Sequence, residues 1–223
     1  MKSVAIAALA ATVTLSAQVF AAETASKFEG FSAEFATGYQ QNTMGNGPLY
    51  VIGTGASAGA SINSGSKNKV PAIIGLNYGF KLPGQFVLGV GLSYDFTAAS
   101  ITGACAGCNP AASVTAKVQN RYNVFVTPGI QATEDGVVYA KVGYTGVSTS
   151  LSASDGTALT NGLRNHAFSY GLGYKQFFNP NIYGFLEGGY AKNNSGTITG
   201  GGFYYSSDIK STNYLVGKIG RAH

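Results

Sequence analysis

The chain has 223 residues, with 14 lysines and arginines against nine acidic residues and a formal net charge of +5. The basic residues are scattered instead of gathered in a stripe, which leaves a nucleic-acid interface nothing to stand on. With 32 glycines, 14 tyrosines and 13 phenylalanines but only 10% charged residues, the composition argues against helices and for strands.

The first 21 residues read as a secretory signal. Lys2 precedes an apolar core from Val4 to Leu15, and Val19-Phe20-Ala21 is a small-residue site suited to cleavage after Ala21. The core is too short to span a bilayer, which needs about 20 apolar residues. Residues 22–223 are then expected to form one domain, since no Pro-rich or charged linker divides them. They contain no long apolar run free of Gly, Ser or charge. If the mature chain lies in a membrane, it must therefore do so as a closed barrel, because only that leaves no unpaired strand edge in lipid.

Period-two patterning predicts eight strands, over about 28–39, 70–80, 85–97, 115–132, 137–147, 164–177, 182–192 and 211–221. The third is the clearest. Phe86, Leu88, Val90, Leu92, Tyr94 and Phe96 form one large apolar row, and Gly89, Gly91, Ser93 and Asp95 form the other. Bulk on one face and glycine on the other is the inverse of a soluble sheet, and it suits a strand whose outer face meets lipid. The same sense recurs in the second strand (Ile74, Leu76, Tyr78 and Phe80 outward) and the fourth (Val118, Tyr122, Val124, Val126 and Ile130 outward; Lys117, Gln119, Arg121 and Asn123 inward). In the fifth, Val138, Ala140, Val142 and Tyr144 oppose Lys141, Gly143 and Thr145; in the sixth, Phe168, Tyr170, Leu172 and Tyr174 oppose Ser169, Gly171, Gly173 and Lys175.

Connections alternate in length. Residues 81–84, 133–136 and 178–181 are Pro-, Gly-, Asn- and Asp-rich turns, whereas 40–69, 98–114, 148–163 and 193–210 are long polar loops. Aromatic residues gather at strand ends: Phe31, Tyr78, Phe80, Phe86 and Tyr174 toward the turns, and Tyr39, Tyr94, Phe96, Tyr122, Tyr144, Phe168 and Tyr190 toward the loops. The predicted fold is all-β, an eight-stranded antiparallel up-and-down transmembrane β-barrel with aromatic girdles at the two bilayer interfaces.

With F31-S-A-E-F-A-T-G-Y39, R121-Y-N-V-F-V-T-P-G129, V138-Y-A-K-V-G-Y144, I182-Y-G-F-L-E187 and Y214-L-V-G217 in this order, the mature chain resembles the small outer-membrane β-barrels of the opacity type, relatives of the OmpA and OmpX barrels. The resemblance implies a monomer in the outer membrane of a Gram-negative bacterium, in contact with lipid and lipopolysaccharide and inserted by the barrel assembly machinery. Members usually end on an aromatic residue that this machinery reads, whereas this chain ends on His223.

An eight-stranded barrel is just wide enough to be filled by side chains. The inward row carries Glu34, Asp95, Arg121, Lys141, Lys175 and Glu187. Counting from the turns puts Asp95 level with Arg121, and Lys141, Glu187 and Glu34 together near mid-height. Opposed buried charges should pair, since an unpaired one is costly. A salt-bridged plug is the expected state; a narrow conduit is the alternative, kept open by inward glycines that leave room for water.

No catalytic residue, cofactor or metal is expected. His166 and Ser169 fall on opposite faces of one strand, which keeps the serine from a base. Cys105 and Cys108 form C-A-G-C in a loop with no helix to activate a thiol, so they are expected to form a local disulfide. Lys67, Lys69, Arg164, Lys192 and Lys210 outnumber Asp155 and Asp208 in the loops, suited to lipopolysaccharide phosphates. The expected function is structural or surface interaction through the long loops, including a host or surface ligand, with a porin-like channel for ions or small polar solutes as the alternative.

Overall fold

A computed structural model describes residues 26–51, 60–106, 113–153, 158–193, 196–200, 203–207 and 209–222. The signal segment 1–21 lies outside them. The described strands are β1 (Gly30–Met44), β2 (Gly47–Val51), β3 (Ala60–Ile62), β4 (Gly65–Lys69), β5 (Ile73–Lys81), β6 (Phe86–Asp95), β7 (Ala99–Ala106), β8 (Ser113–Gln131), β9 (Gly136–Ala153), β10 (Ala158–Asn179), β11 (Ile182–Asn193), β12 (Gly196–Gly200), β13 (Phe203–Ser207) and β14 (Ile209–Ala222). No described helix is long and apolar enough to cross a membrane.

Eight of these strands close a ring in the order β1-β5-β6-β8-β9-β10-β11-β14, every neighbour antiparallel. First and last strands seal it, in register from Phe31↔Ala222 to Met44↔Ile209. These are the eight predicted strands, and closure removes the exposed edges that an open sheet would leave. The tight turns also lie near their predicted places. Between β5 and β6 the chain reverses with Leu82 N–H donating to the Phe86 carbonyl, and Gly84 supplies the one left-handed residue that turn needs, at φ 74°.

On seven of the eight ring strands, β1, β5, β6, β8, β9, β10 and β11, large apolar side chains face outward: Phe31, Leu76, Phe86, Leu92, Val124, Ile130, Val138, Phe168, Leu172 and Leu186 are all exposed. In water, burying such rows would stabilise by roughly 25 cal/mol per Å². Their exposure on seven of the eight ring strands means that another apolar medium covers them.

The loop end differs from expectation. The segments predicted as long polar loops contain β2, β3, β4, β7, β12 and β13, and the wall strands continue into them; β10 alone has 22 residues. At about 3.3 Å per residue that strand is roughly 70 Å long, more than twice a bilayer's hydrocarbon thickness of about 30 Å. This extension has its own apolar core, formed by Met44, Ile62, Ile101, Val114, Ala116, Val118, Val147 and Leu151.

Val118, expected to face outward, lies in that core at 2% exposure, while Lys117, expected inward, is exposed. The cause is a β-bulge. Between Gln119↔Ser148 and Tyr122↔Gly146, β8 carries one more residue than β9, and Asn120 takes φ 53°. One extra residue inverts the alternation of everything before it. Asparagine tolerates that backbone better than most residues. We expect Val118→Asp, a charge placed in this core, to speed amide exchange and protease cleavage in β7 and the first half of β8 while the ring persists. Unchanged exchange in those strands would refute an independent core in the extension.

Candidate functional site

The lumen is layered. At the turn end, Phe28, Ala36, Val137, Tyr139, Phe177, Tyr183, Phe185 and Leu215 form a continuous buried cluster. Phe28 comes from the segment before β1, packs edge-on against Phe177 at 5.2 Å between ring centroids, and is held there by the adjacent Lys27–Asp135 ion pair.

The inward glycines serve this packing. Gly91 stands directly across from Phe125, Gly173 from Tyr139 and Gly217 from Phe185. A Cβ on Gly91 would lie 2.7 Å from the Phe125 ring, and on Gly173 or Gly217 it would fall into the facing ring. At these three positions a cross-strand aromatic ring occupies the space that the missing side chain leaves, whereas the inward Gly75, Gly79 and Gly89 line the two cavities of the lumen.

Above the rings lies a polar layer. Lys141 Nζ donates to both oxygens of Glu187, at 2.9 and 3.2 Å, and Tyr139 Oη donates to Glu187 Oε2 at 3.1 Å. Lys141 also sits 4.2 Å from the Phe125 ring centroid, so the cation is shielded by a π face. Glu34 is held lower, accepting from Tyr183 Oη at 2.9 Å and facing Lys175 at 3.9 Å. Lys141 and Glu187 thus meet as expected, whereas Glu34 belongs with Lys175 and Tyr183.

Asp95 and Arg121 are register partners, level as predicted, yet they do not form an ion pair. Lys69 Nζ takes Asp95 Oδ2 at 2.7 Å, and the Thr97 amide and hydroxyl donate to Asp95 Oδ1. Lys69 was placed in a loop by the sequence; it is carried inward by β4, which pairs with the far half of β1. Arg121 reaches across the lumen instead. Its two terminal nitrogens donate to Ser211 Oγ at 2.9 Å and Asn42 Oδ1 at 2.8 Å. Ser211 sits on the opposite wall, since β14 is four strands from β8 either way around the ring, and Asn42 lies on the neighbouring β1, three strands from β8 by the shorter way.

A cavity of about 70 Å³ lies in this layer, lined by Gln40, Asp95, Arg121, Asn123, Lys141, Glu187 and Ser211 among others; a second, of about 30 Å³, lies lower beside Phe28, Tyr139, Lys175 and Phe177.

His166 is on the outer surface, stacked on Tyr144 with 5.3 Å between centroids, while Ser169 points inward and donates to Asn123 Oδ1 at 3.2 Å. The two cannot act on one substrate. The described residues contain no group of three or more His, Cys, Asp or Glu able to hold a metal. No cysteine among them is free: Cys105, on β7, is disulfide-bonded, and Cys108 lies outside the described residues.

A closed antiparallel ring with an apolar exterior and a polar layer in its lumen has the architecture of an outer-membrane β-barrel. Its eight strands make it a small barrel of the OmpA and OmpX type in architecture. No protein-family model matches the chain, and no curated protein matches its sequence. Among solved structures it is similar to the outer-membrane protease OmpT of Escherichia coli, with TM-score 0.50 and 10% identity over 89% of this chain and 99% of that one. OprG from Pseudomonas aeruginosa gives TM-score 0.49 and 12% identity over 87% and 97%. Ail of Yersinia pestis, in complex with a heparin analogue, gives 0.36 and 15% over 83% and 99%. Identities this low establish the fold alone.

Proposed function

We propose that the protein is a monomeric outer-membrane barrel with a closed bore, exported by its first 21 residues and inserted by the barrel assembly machinery, and that it acts at the cell surface through its strand-built loop end. The observation that supports this reading is the set of rings seated on Gly91, Gly173 and Gly217, together with the buried cluster in the turn-end half of the lumen.

The tall extension supports a contact role. Its apolar core holds the surface strands in fixed positions, unlike a mobile loop that must lose entropy on binding. Lys117, Arg164 and Lys192 are exposed beyond the loop-end girdle, placed for lipopolysaccharide phosphates.

The rival is a narrow channel for ions or small polar solutes, favoured by the two cavities above and below Tyr139. Planar-bilayer conductance separates the two. We expect the refolded protein to show no discrete steps, and Tyr139→Ala combined with Phe185→Ala to produce them. Steps in the parent protein whose size changes on Lys141→Met would overturn the closed-bore reading.

A further inference from the structure

We propose that the polar layer of the lumen holds one small monovalent inorganic anion of halide size, bound at Arg121 between β8 and the β1–β14 seam.

Charge is the first argument. Each of the three carboxylates in the layer has a cation: Glu34 has Lys175, Glu187 has Lys141 and Asp95 has Lys69. Arg121 is the fourth cation, and among the described residues it makes no ion pair. It lies between two apolar cores, one toward the turns and one in the extension. Its register partner Asp95 is the carboxylate whose field it feels, but that carboxylate is ion-paired to Lys69, so two cations share one counter-charge and the layer keeps one positive charge in excess. A partly buried charge without a counter-ion of its own is costly.

Hydrogen bonding gives a second, independent argument. Gln40 is 2% exposed and Asn42 is fully buried, yet Asn42 Nδ2, Gln40 Oε1 and Arg121 Nε have no partner. Asn42 cannot be turned over to cure this, because its Oδ1 accepts from Arg121. Ser211 Oγ already accepts from both Gln40 Nε2, at 2.8 Å, and Arg121. Its own proton must then find an acceptor too. If Gln40 were reversed to take that proton, its amide would become the surplus donor. Either way the cluster has more donors than acceptors, which is what an anion satisfies. Water could accept from some of them but would leave the charge standing.

Size and sign narrow the class. The cavity of about 70 Å³ has room for an ion with a few waters. Glu34, Asp95 and Glu187 also line it, each ion-paired to a lysine, so a multiply charged oxyanion would be repelled where a single charge beside Arg121 is tolerated. Bound there, the ion would neutralise a strut that ties opposite walls of the barrel.

The test uses the full mature barrel refolded and crystallised in sodium bromide, with anomalous diffraction recorded at the bromine edge. The expected result is one peak in the cavity against Arg121 and Ser211, lost in Arg121→Gln. If that variant does not fold, Lys69→Met serves: it releases Asp95 to pair with Arg121, and the peak should again vanish. No peak at Arg121 in the parent protein, in crystals that show bromide elsewhere on the surface, means water alone fills the layer and overturns the proposal. So does a peak of unchanged occupancy in either folded variant. The outcome is independent of conductance, so an open bore would not remove it.

Discussion

Gly217→Ala is expected to destabilise the barrel by about 1–3 kcal/mol, the usual cost of adding a methyl group to a filled core. The added Cβ would enter the Phe185 ring from the facing strand and come within 2.8 Å of the Phe35 carbonyl oxygen. The ring cannot swing away, because Phe185 is itself buried in the turn-end cluster. Gly184→Ala is the control. It lies across the same pair of strands but meets Phe178, an exposed ring that is free to move, at 3.2 Å, and should cost less than about 0.5 kcal/mol. Phe185→Leu shortens the obstructing side chain, so Gly217→Ala with Phe185→Leu should be less harmful than the two singles added together. We expect a coupling of about 0.5–3 kcal/mol from urea unfolding in lipid vesicles. Strict additivity would mean that the ring and the glycine do not share one space, and the basis for an occluded bore would go with it.

That pairing also marks where the sequence stops being informative. Alternation from Phe86 to Phe96 is a property of one strand, so its lipid-facing row is legible without knowing any neighbour. Whether the glycine row encloses water or rings depends on what stands across from each glycine. That is decided by register between strands such as β9 and β10, whose partners Tyr139 and Gly173 are 34 positions apart. Asp95 and Arg121 show the same limit. Their shared height follows from strand counting, but the partner choice turned on Lys69, delivered by a five-residue strand outside the ring. The bulge at Asn120 had a faint signal. By parity Val114, Ala116 and Val118 fall on the same side as Tyr122, Val124 and Val126, and only the burial of the first row requires the extra residue that turns it to the opposite side. Polar composition concealed the extension for a further reason: its outward face is solvated, so serine, threonine and asparagine there are compatible with strands as well as loops.

Glu187→Leu should cost about 3–5 kcal/mol, the larger of the two effects, because it strands the Lys141 ammonium inside the barrel. The pair is well buried, with the Glu187 side chain only 6% exposed and that of Lys141 14%. Neither group finds a substitute partner nearby, since Glu34 is committed to Tyr183 and Lys175, and Asp95 to Lys69. Removing both charges, as Lys141→Met with Glu187→Leu, relieves that penalty. What remains is the lost acceptor of Tyr139 Oη, worth about 1 kcal/mol, against which two apolar side chains add packing beside Phe125. The double variant should therefore lie within about 2 kcal/mol of the parent in urea unfolding, far above the single. A double variant as unstable as Glu187→Leu would mean that the pair contributes through more than mutual neutralisation, as a fixed scaffold for Tyr139. In that case Tyr139→Phe, which removes only the hydroxyl, should reproduce much of the loss, whereas simple neutralisation leaves Tyr139→Phe nearly as stable as the parent.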